Sequence, residues 1–180
     1  MFENAEQADQ FIDSNAVKAY ADRAKSFFIT ALAVTSARGS WDGRMWDPTA
    51  PEHLGKYLDM DTRSAGMVAL TRASIRPAKA VAFWRYAPAA QDDLKNAPGC
   101  ELAMGLGEAP LVRQCTFSLW KDTPSMMAYA HTGAHQQAIA AAHKNDFFSE
   151  SMFVRMRVLR CAGQWSGVMS DAPAQEVPHG

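Results

Sequence analysis

Cysteine is scarce: the 180 residues hold three, Cys100, Cys115 and Cys161, an odd number with no C-x-x-C spacing. That excludes a disulfide framework and a thiolate zinc site, and it suits a reducing compartment. Charge of either sign is equally short of excess. Lys and Arg total 18 against 19 Asp and Glu, so no basic surplus exists to draw nucleic acid or an anionic membrane. No run of about 18 apolar residues occurs, and FENAEQADQF after Met1 has neither the cationic nor the apolar segment of a leader. The expected location is the cytoplasm, where a lipid-like substrate would still bring the protein to a membrane surface. Missing too are a Ser-His-Asp order, a nucleophile elbow and a paired-carboxylate motif, so hydrolysis is not indicated.

What the sequence does have is 48% hydrophobic residues, ample for a core, and one unusual signature spelled twice. SARGSWDG (36–43) and CAGQWSGV (161–168) share Gly-x-Trp-x-Gly, with Trp41 and Trp165 lying 124 positions apart. Such self-similarity suggests duplication. At that offset FITALAVTSARGSW (28–41) lies over MFVRMRVLRCAGQW (152–165). β-branched Val34 and Val158 coincide, and each run stops at Gly39 or Gly163, which predicts a terminal strand and a tryptophan corner in each copy. At an offset of 118, FIDSNAVKAYADRA (11–24) lies over YAHTGAHQQAIAAA (129–142), two Ala-rich helical stretches.

Between these copies, GMVALTRASIRP (66–77) predicts a strand, and AKAVAFWRYAPAAQDDLKN (78–96) a helix that opens after Pro77 and is interrupted near Pro88. ELAMGLGEAPLVRQ (101–114) predicts a strand with a glycine-rich turn, CTFSLW (115–120) a half-buried strand, and Thr123-Pro124 a helix start with Thr as N-cap. The order β-α-β-β-α-β is that of an α+β, ferredoxin-like module, in which two helices cover one face of a four-stranded antiparallel sheet.

The expected organisation is therefore a tandem duplication. Residues 66–168 form the complete second module, and 1–43 are the C-terminal helix and strand of a first copy truncated at its N-terminus. Residues 44–65 are a linker and 169–180 a flexible tail. Tandem copies packed sheet on sheet, as a dimeric α/β barrel, would enclose a pocket for a bulky apolar ligand. A truncated first copy would leave the apolar face open and favour a homodimer.

Among titratable residues His135 stands out. On a continuous helix it shares a face with Ile139 and Ala142, so its imidazole projects among small apolar groups, as an axial haem ligand would. The alternative is a surface or satisfied helix histidine. Val17 stands opposite it in the alignment, so the imidazole belongs to one copy only. Arg72, Arg76 and Arg113 lie on or beside strands and could pair with haem propionates or simply cap a sheet edge. Trp84, Glu108 and Trp120 are candidates for a substrate pocket between sheets, against the plainer reading of two core rings and a solvated charge. Trp41 and Trp165 read as packing plugs.

ALTRASIRPAKAVAFW (69–84), GLGEAPLVRQCTFSLWKD (105–122) and HQQAIAAAHKNDFFSESMFVRMRVLRCAGQWSG (135–167) resemble the spheroidene monooxygenase family, also described as acyclic carotenoid ketolases. The GxGExPxxxQxTFSxW string is the most specific part. The resemblance covers 65–168 and, more loosely, 8–43. It implies a haem-containing oxygenase that uses dioxygen and electrons from a donor such as a ferredoxin. Its substrate would be an acyclic carotenoid, hydroxylated successively at C-2 with loss of water to a ketone, and His135 would be the catalytic axial ligand of the haem iron. Two other functions stay open: a non-catalytic barrel that binds a hydrophobic small molecule, and a cofactor-independent oxygenase.

Overall fold

Asn4 and Ser14 each accept a backbone N–H three residues on, from Gln7 and Val17, and so start two short helices, α1 (Ala5–Ile12) and α2 (Asn15–Ala21). The computed structural model describes residues 2–60, 66–109, 111–131 and 133–164, without the side chains of Glu108, Ala134, His143 and Gln164. The chain continues into β1 (Phe27–Gly39), β2 (Met67–Ile75), α3 (Ala80–Trp84), α4 (Ala87–Lys95), β3 (Cys100–Ala109) and β4 (Arg113–Trp120). It ends in α5 (Thr123–Ala130), α6 (Gly133–Asn145) and β5 (Phe148–Gln164).

All five strands form one antiparallel sheet in the order β1-β5-β2-β4-β3. The last four carry the ferredoxin-like order expected of residues 66–168, with Pro88 at the start of α4, where the predicted helix is interrupted. The first segment does not build a second, facing sheet. Its strand lengthens the same sheet, because β1 finds its hydrogen-bond partners along β5, the edge the four-stranded module leaves open.

Three local expectations shift. Gly105 and Gly107 sit inside β3 rather than in a turn, and the chain reverses only after Ala109. Asp122, one residue earlier than expected, caps α5 by accepting from the Ser125 N–H. The Ala-rich stretch 129–142 is split between α5 and α6 at the break that Thr132-Gly133 signals in the sequence, with Gly133 at φ +63 where α6 starts. Residues 44–60 do more than link: Leu54 and Tyr57 are buried, and the Tyr57 hydroxyl donates to the buried Asp9 carboxylate at 2.8 Å. Trp165 and the predicted tail 169–180 lie outside the described residues.

Strand alternation sorts the core into two sides. Ala31, Ala33, Met67, Ala69, Trp120 and Leu159 face the helices. Val68, Leu119, Met152, Val154, Met156 and Val158 face the other way, joined by Trp41 and flanked by the half-buried Leu32, Leu70 and Phe117. No helix covers this second face among the described residues, and among them no helix is long and apolar enough to cross a membrane.

The β1–β5 register is symmetric about its own centre. Ala33 lies opposite Arg157, Leu32 opposite Val158 and Val34 opposite Met156, while Phe28 meets Gly163 and Gly39 meets Met152. Two close approaches close the ends: a methyl group on Gly39 (φ +77) would run into the Ser151 carbonyl, and one on Gly163 (φ +88) into the Phe27 carbonyl. Gly39→Ala therefore combines backbone strain with a backbone clash and should cost about 3 kcal/mol, whereas Gly43→Ala, at φ +70 with open space around it, should cost about 1 kcal/mol. Urea denaturation of the two variants measures both losses; equal losses would remove the close approach from the account.

Candidate functional site: a tryptophan and arginine corner on the open sheet face

The turn after β1 is tied down by a single acid. Glu150, on β5, accepts the Ser40 hydroxyl at 2.8 Å and the backbone N–H groups of Asp42 and Gly43, both at 3.0 Å. These donors, with the nearby Arg113 guanidinium, hold its carboxyl below the usual carboxylate range. The turn closes by paired hydrogen bonds between Trp41 and Arg44, and it lays the Trp41 ring, 5% exposed, over the open face.

Two guanidiniums converge on that ring. Arg72 of β2 lies 4.0 Å from its centroid and Arg113 of β4 4.4 Å, both on the face that carries Val68 and Leu119. Arg113 also donates to Asp42 at 2.9 Å, which fixes the corner from the strand side. Beside the ring opens a cavity of about 420 Å³, lined by Trp41, Asp42, Arg44, Trp46 and Arg72. The buried Trp41 Nε1–H has no acceptor among the described residues. Cationic wall and apolar floor meet here.

His135 lies on the opposite side of the sheet. Its ring stacks on Tyr129 of α5, centroids 4.7 Å apart, and Tyr129 in turn stacks on Trp120 at 5.2 Å. The Tyr129 hydroxyl donates to the Ala90 carbonyl of α4, and burial pushes the His135 imidazole below the usual histidine range while Asp93 pulls the other way. Ile139, expected on the same apolar face, is 42% exposed. Trp120 is 1% exposed, its N–H given to Ser118, so it fills the helix-side core and lines no cavity with Trp41.

The remaining sequence candidates also separate. Arg76 follows β2 and pairs with Asp146 at 3.1 Å on the surface. Trp84 donates its N–H to the Leu111 carbonyl at 3.0 Å and packs edge-on against Phe83. The Glu108 side chain lies outside the described residues. A haem held by His135 would thus have its carboxylates across the sheet from Arg72 and Arg113, and these residues do not fit the group as one set. Among the described residues no cluster of three His, Cys, Asp or Glu could hold a metal ion. Sequence reasoning missed Trp41, Arg44 and Trp46 as a site. Their only signal was the spacing of the tryptophans and arginines around SARGSWDGRMW (36–46).

No protein-family model matches the chain. Its homologues are spheroidene monooxygenases: that of Rubrivivax gelatinosus is 48% identical over 168 residues, covering 93% of this chain and 61% of its own length. That of Rhodobacter capsulatus is 35% identical over 151 residues, covering 83% and 60%. The chain thus spans about 60% of the length of these relatives. Among solved structures, SnoaB, a cofactor-independent oxygenase from Streptomyces nogalater, is similar over 51% of this chain and 90% of its own, at 13% identity and a TM-score of 0.42.

Two measurements follow from this geometry. The depressed Glu150 contributes stability that is present above the ordinary carboxylate range and lost as pH falls through its folded-state value. Acidification should therefore shift tryptophan fluorescence in the wild type, and Glu150→Gln should remove the component of that shift due to Trp41, an outcome checked against Trp41→Phe. The stacked His135 ring predicts that His135→Ala loses about 1 kcal/mol of stability while His135→Phe keeps it, read by thermal unfolding.

Proposed function

We propose that this chain takes part in the monooxygenation of a long acyclic polyene of the carotenoid type, held against the open face of the sheet. The observation that carries this reading is the 48% identity to a spheroidene monooxygenase over 93% of the chain. The open face supports it: Leu70 and Phe117 remain half-buried above a floor of Val68, Val154 and Met152 that is closed to water. A rod-like hydrocarbon laid over the face gains about 25 cal/mol for each Å² of the half-buried Leu70 and Phe117 surface that it removes from water.

Monooxygenation places one atom of dioxygen in the substrate and reduces the other to water, which takes two electrons and two protons from an external donor. The residues described here supply orientation. The floor aligns the chain of the polyene and excludes water along it, and the Arg72, Arg113 and Trp41 corner marks where the floor turns polar. Among the described residues the corner presents no paired acid and base, and the reading gives these side chains no part in activating dioxygen.

The same reading treats the two halves as copies of one ancestral unit. Most β1–β5 pairs exchange with another under the 124-residue offset, as Leu32 opposite Val158 does with Val34 opposite Met156. The caps support it too: α1 follows Asn4 bonded to Gln7, and α5, 118 residues later, follows Asp122 bonded to Ser125.

Cells that accumulate an acyclic carotenoid and express the chain, grown under isotopically heavy dioxygen, should yield a carotenoid carrying one heavy oxygen atom. Leu70→Glu, which puts a charge on the floor, should lower product at least tenfold, while His135→Phe should retain more than half. Product that disappears with His135→Phe would transfer the chemistry to the helix side, and unlabelled oxygen in the product would end the monooxygenase reading.

A further inference from the structure

We propose that α3 and the turn between β3 and β4 form a docking surface for an anionic lipid bilayer. The choice of lipid rests on the reading of a polyene substrate, which dissolves in a bilayer, and the proposal names the part of the chain that meets it.

Three apolar side chains stand in water here. Val81 of α3 is 73% exposed, Leu111 of the turn 60%, and Tyr86, just after α3, 46%. Scattered exposed apolar residues are ordinary, but these belong to one braced unit. The Trp84 N–H donates to the Leu111 carbonyl at 3.0 Å, which ties the turn to α3. Phe83 and Tyr86 each stand against the buried Phe147 with ring centroids 6.0 Å apart, so the segment is anchored from within. Leu111 has a backbone φ of +68, a left-handed conformation in which leucine is uncommon and glycine ordinary. Turn geometry alone favours glycine there; the leucine adds an exposed apolar side chain.

Charge identifies the occupant. Residues 76–88 carry Arg76, Lys79 and Arg85 and no acid. Lys79 and Arg85 flank Val81 and Trp84 along the chain, are exposed, and make no ion pair among the described residues, while Arg76 meets Asp146 on the surface at 3.1 Å. An anionic bilayer answers both features at once. Its headgroups take the cations, and its acyl boundary takes Val81 and Leu111, with tryptophan and tyrosine at the level between them.

The place in the fold suits the proposed reaction. β4 starts two residues after Leu111, at Arg113, whose guanidinium donates to Asp42 beside Trp41. The docking surface and the corner of the open face therefore share one end of the sheet, and a polyene leaving the bilayer there passes onto the open face.

Sedimentation with sucrose-loaded vesicles tests the surface, using phosphatidylcholine alone and phosphatidylcholine mixed with phosphatidylglycerol. The wild-type chain should sediment with the mixed vesicles. Leu111→Gly, which suits φ +68 and so keeps the turn, should weaken that partition about tenfold. Lys79→Gln combined with Arg85→Gln should weaken it at least tenfold on mixed vesicles and leave partition onto phosphatidylcholine unchanged. Tyr20→Ser, which removes a ring 67% exposed on α2, should change neither. A wild-type chain that stays in solution, one that binds both vesicles equally, or a Leu111→Gly loss no larger than that of Tyr20→Ser overturns the proposal. So does a dimer in sedimentation velocity that Leu111→Gly dissolves, since the patch is then a contact between copies. The vesicles hold no carotenoid, so failure of the docking surface and failure of the oxygenation reading show in different experiments.

Discussion

The pairing of β1 with β5 is the constraint on which the other features depend. Across the described residues the first 60 reach the rest of the fold largely through that ladder, helped by α1 against the β1 and β5 edge and by the buried Asp9–Tyr57 bond. The ladder sets register, and register sets faces. A slip of one residue would move Leu32 and Val34 to the helix side and Ala31 and Ala33 to the open side, so the burial pattern itself resists it. The two glycines at the ends matter for the same reason: their left-handed turns let each strand end pass beneath a carbonyl of its partner, and that passage brings Trp41 over the open face.

Much of the fold was legible in the sequence because it is written in period. Val34, Val68, Val154 and Val158 with their alternating neighbours specify strands, Ala-rich runs specify helices, and Pro88 marks the break between α3 and α4. Self-comparison found both terminal strands. It could not find how they meet, because one sheet and two facing sheets use the same alternation along each strand; only hydrogen bonding across the edge separates them. The glycines of β3 misled for a related reason. Glycine permits a turn without requiring one, and Gly105 and Gly107 lie in open space where a strand tolerates them.

The site was less legible, and the cause lies in parity. His135 was placed by helical spacing and Arg72 by strand position, and neither spacing tells which side of the sheet the other element occupies. Arg72 and Arg113 share the parity of Leu70 and Phe117 and so face the open side, whereas α5 and α6 stand on the side of Ala69 and Trp120. Trp41 read as a packing plug because a buried indole within a glycine-rich corner is usually that. What distinguishes it is two guanidiniums from separate strands and an N–H without an acceptor, and both are properties of the assembled sheet.

The two sides of the sheet meet their polar groups differently. On the helix side Trp120 gives its N–H to Ser118, Tyr129 its hydroxyl to Ala90, and Arg157 donates to the Tyr57 carbonyl. On the open side the half-buried Leu70 and Phe117 lie over the buried Val68, Val154 and Met152, and the Trp41 N–H has no acceptor among the described residues. An oxygenase acting on a long hydrocarbon needs a surface whose attraction has no direction along most of its length, since the polyene offers no polar handle there. Hydrophobic burial supplies it. On the proposed function, the cationic rim of Trp41, Arg72 and Arg113 marks where that surface turns polar.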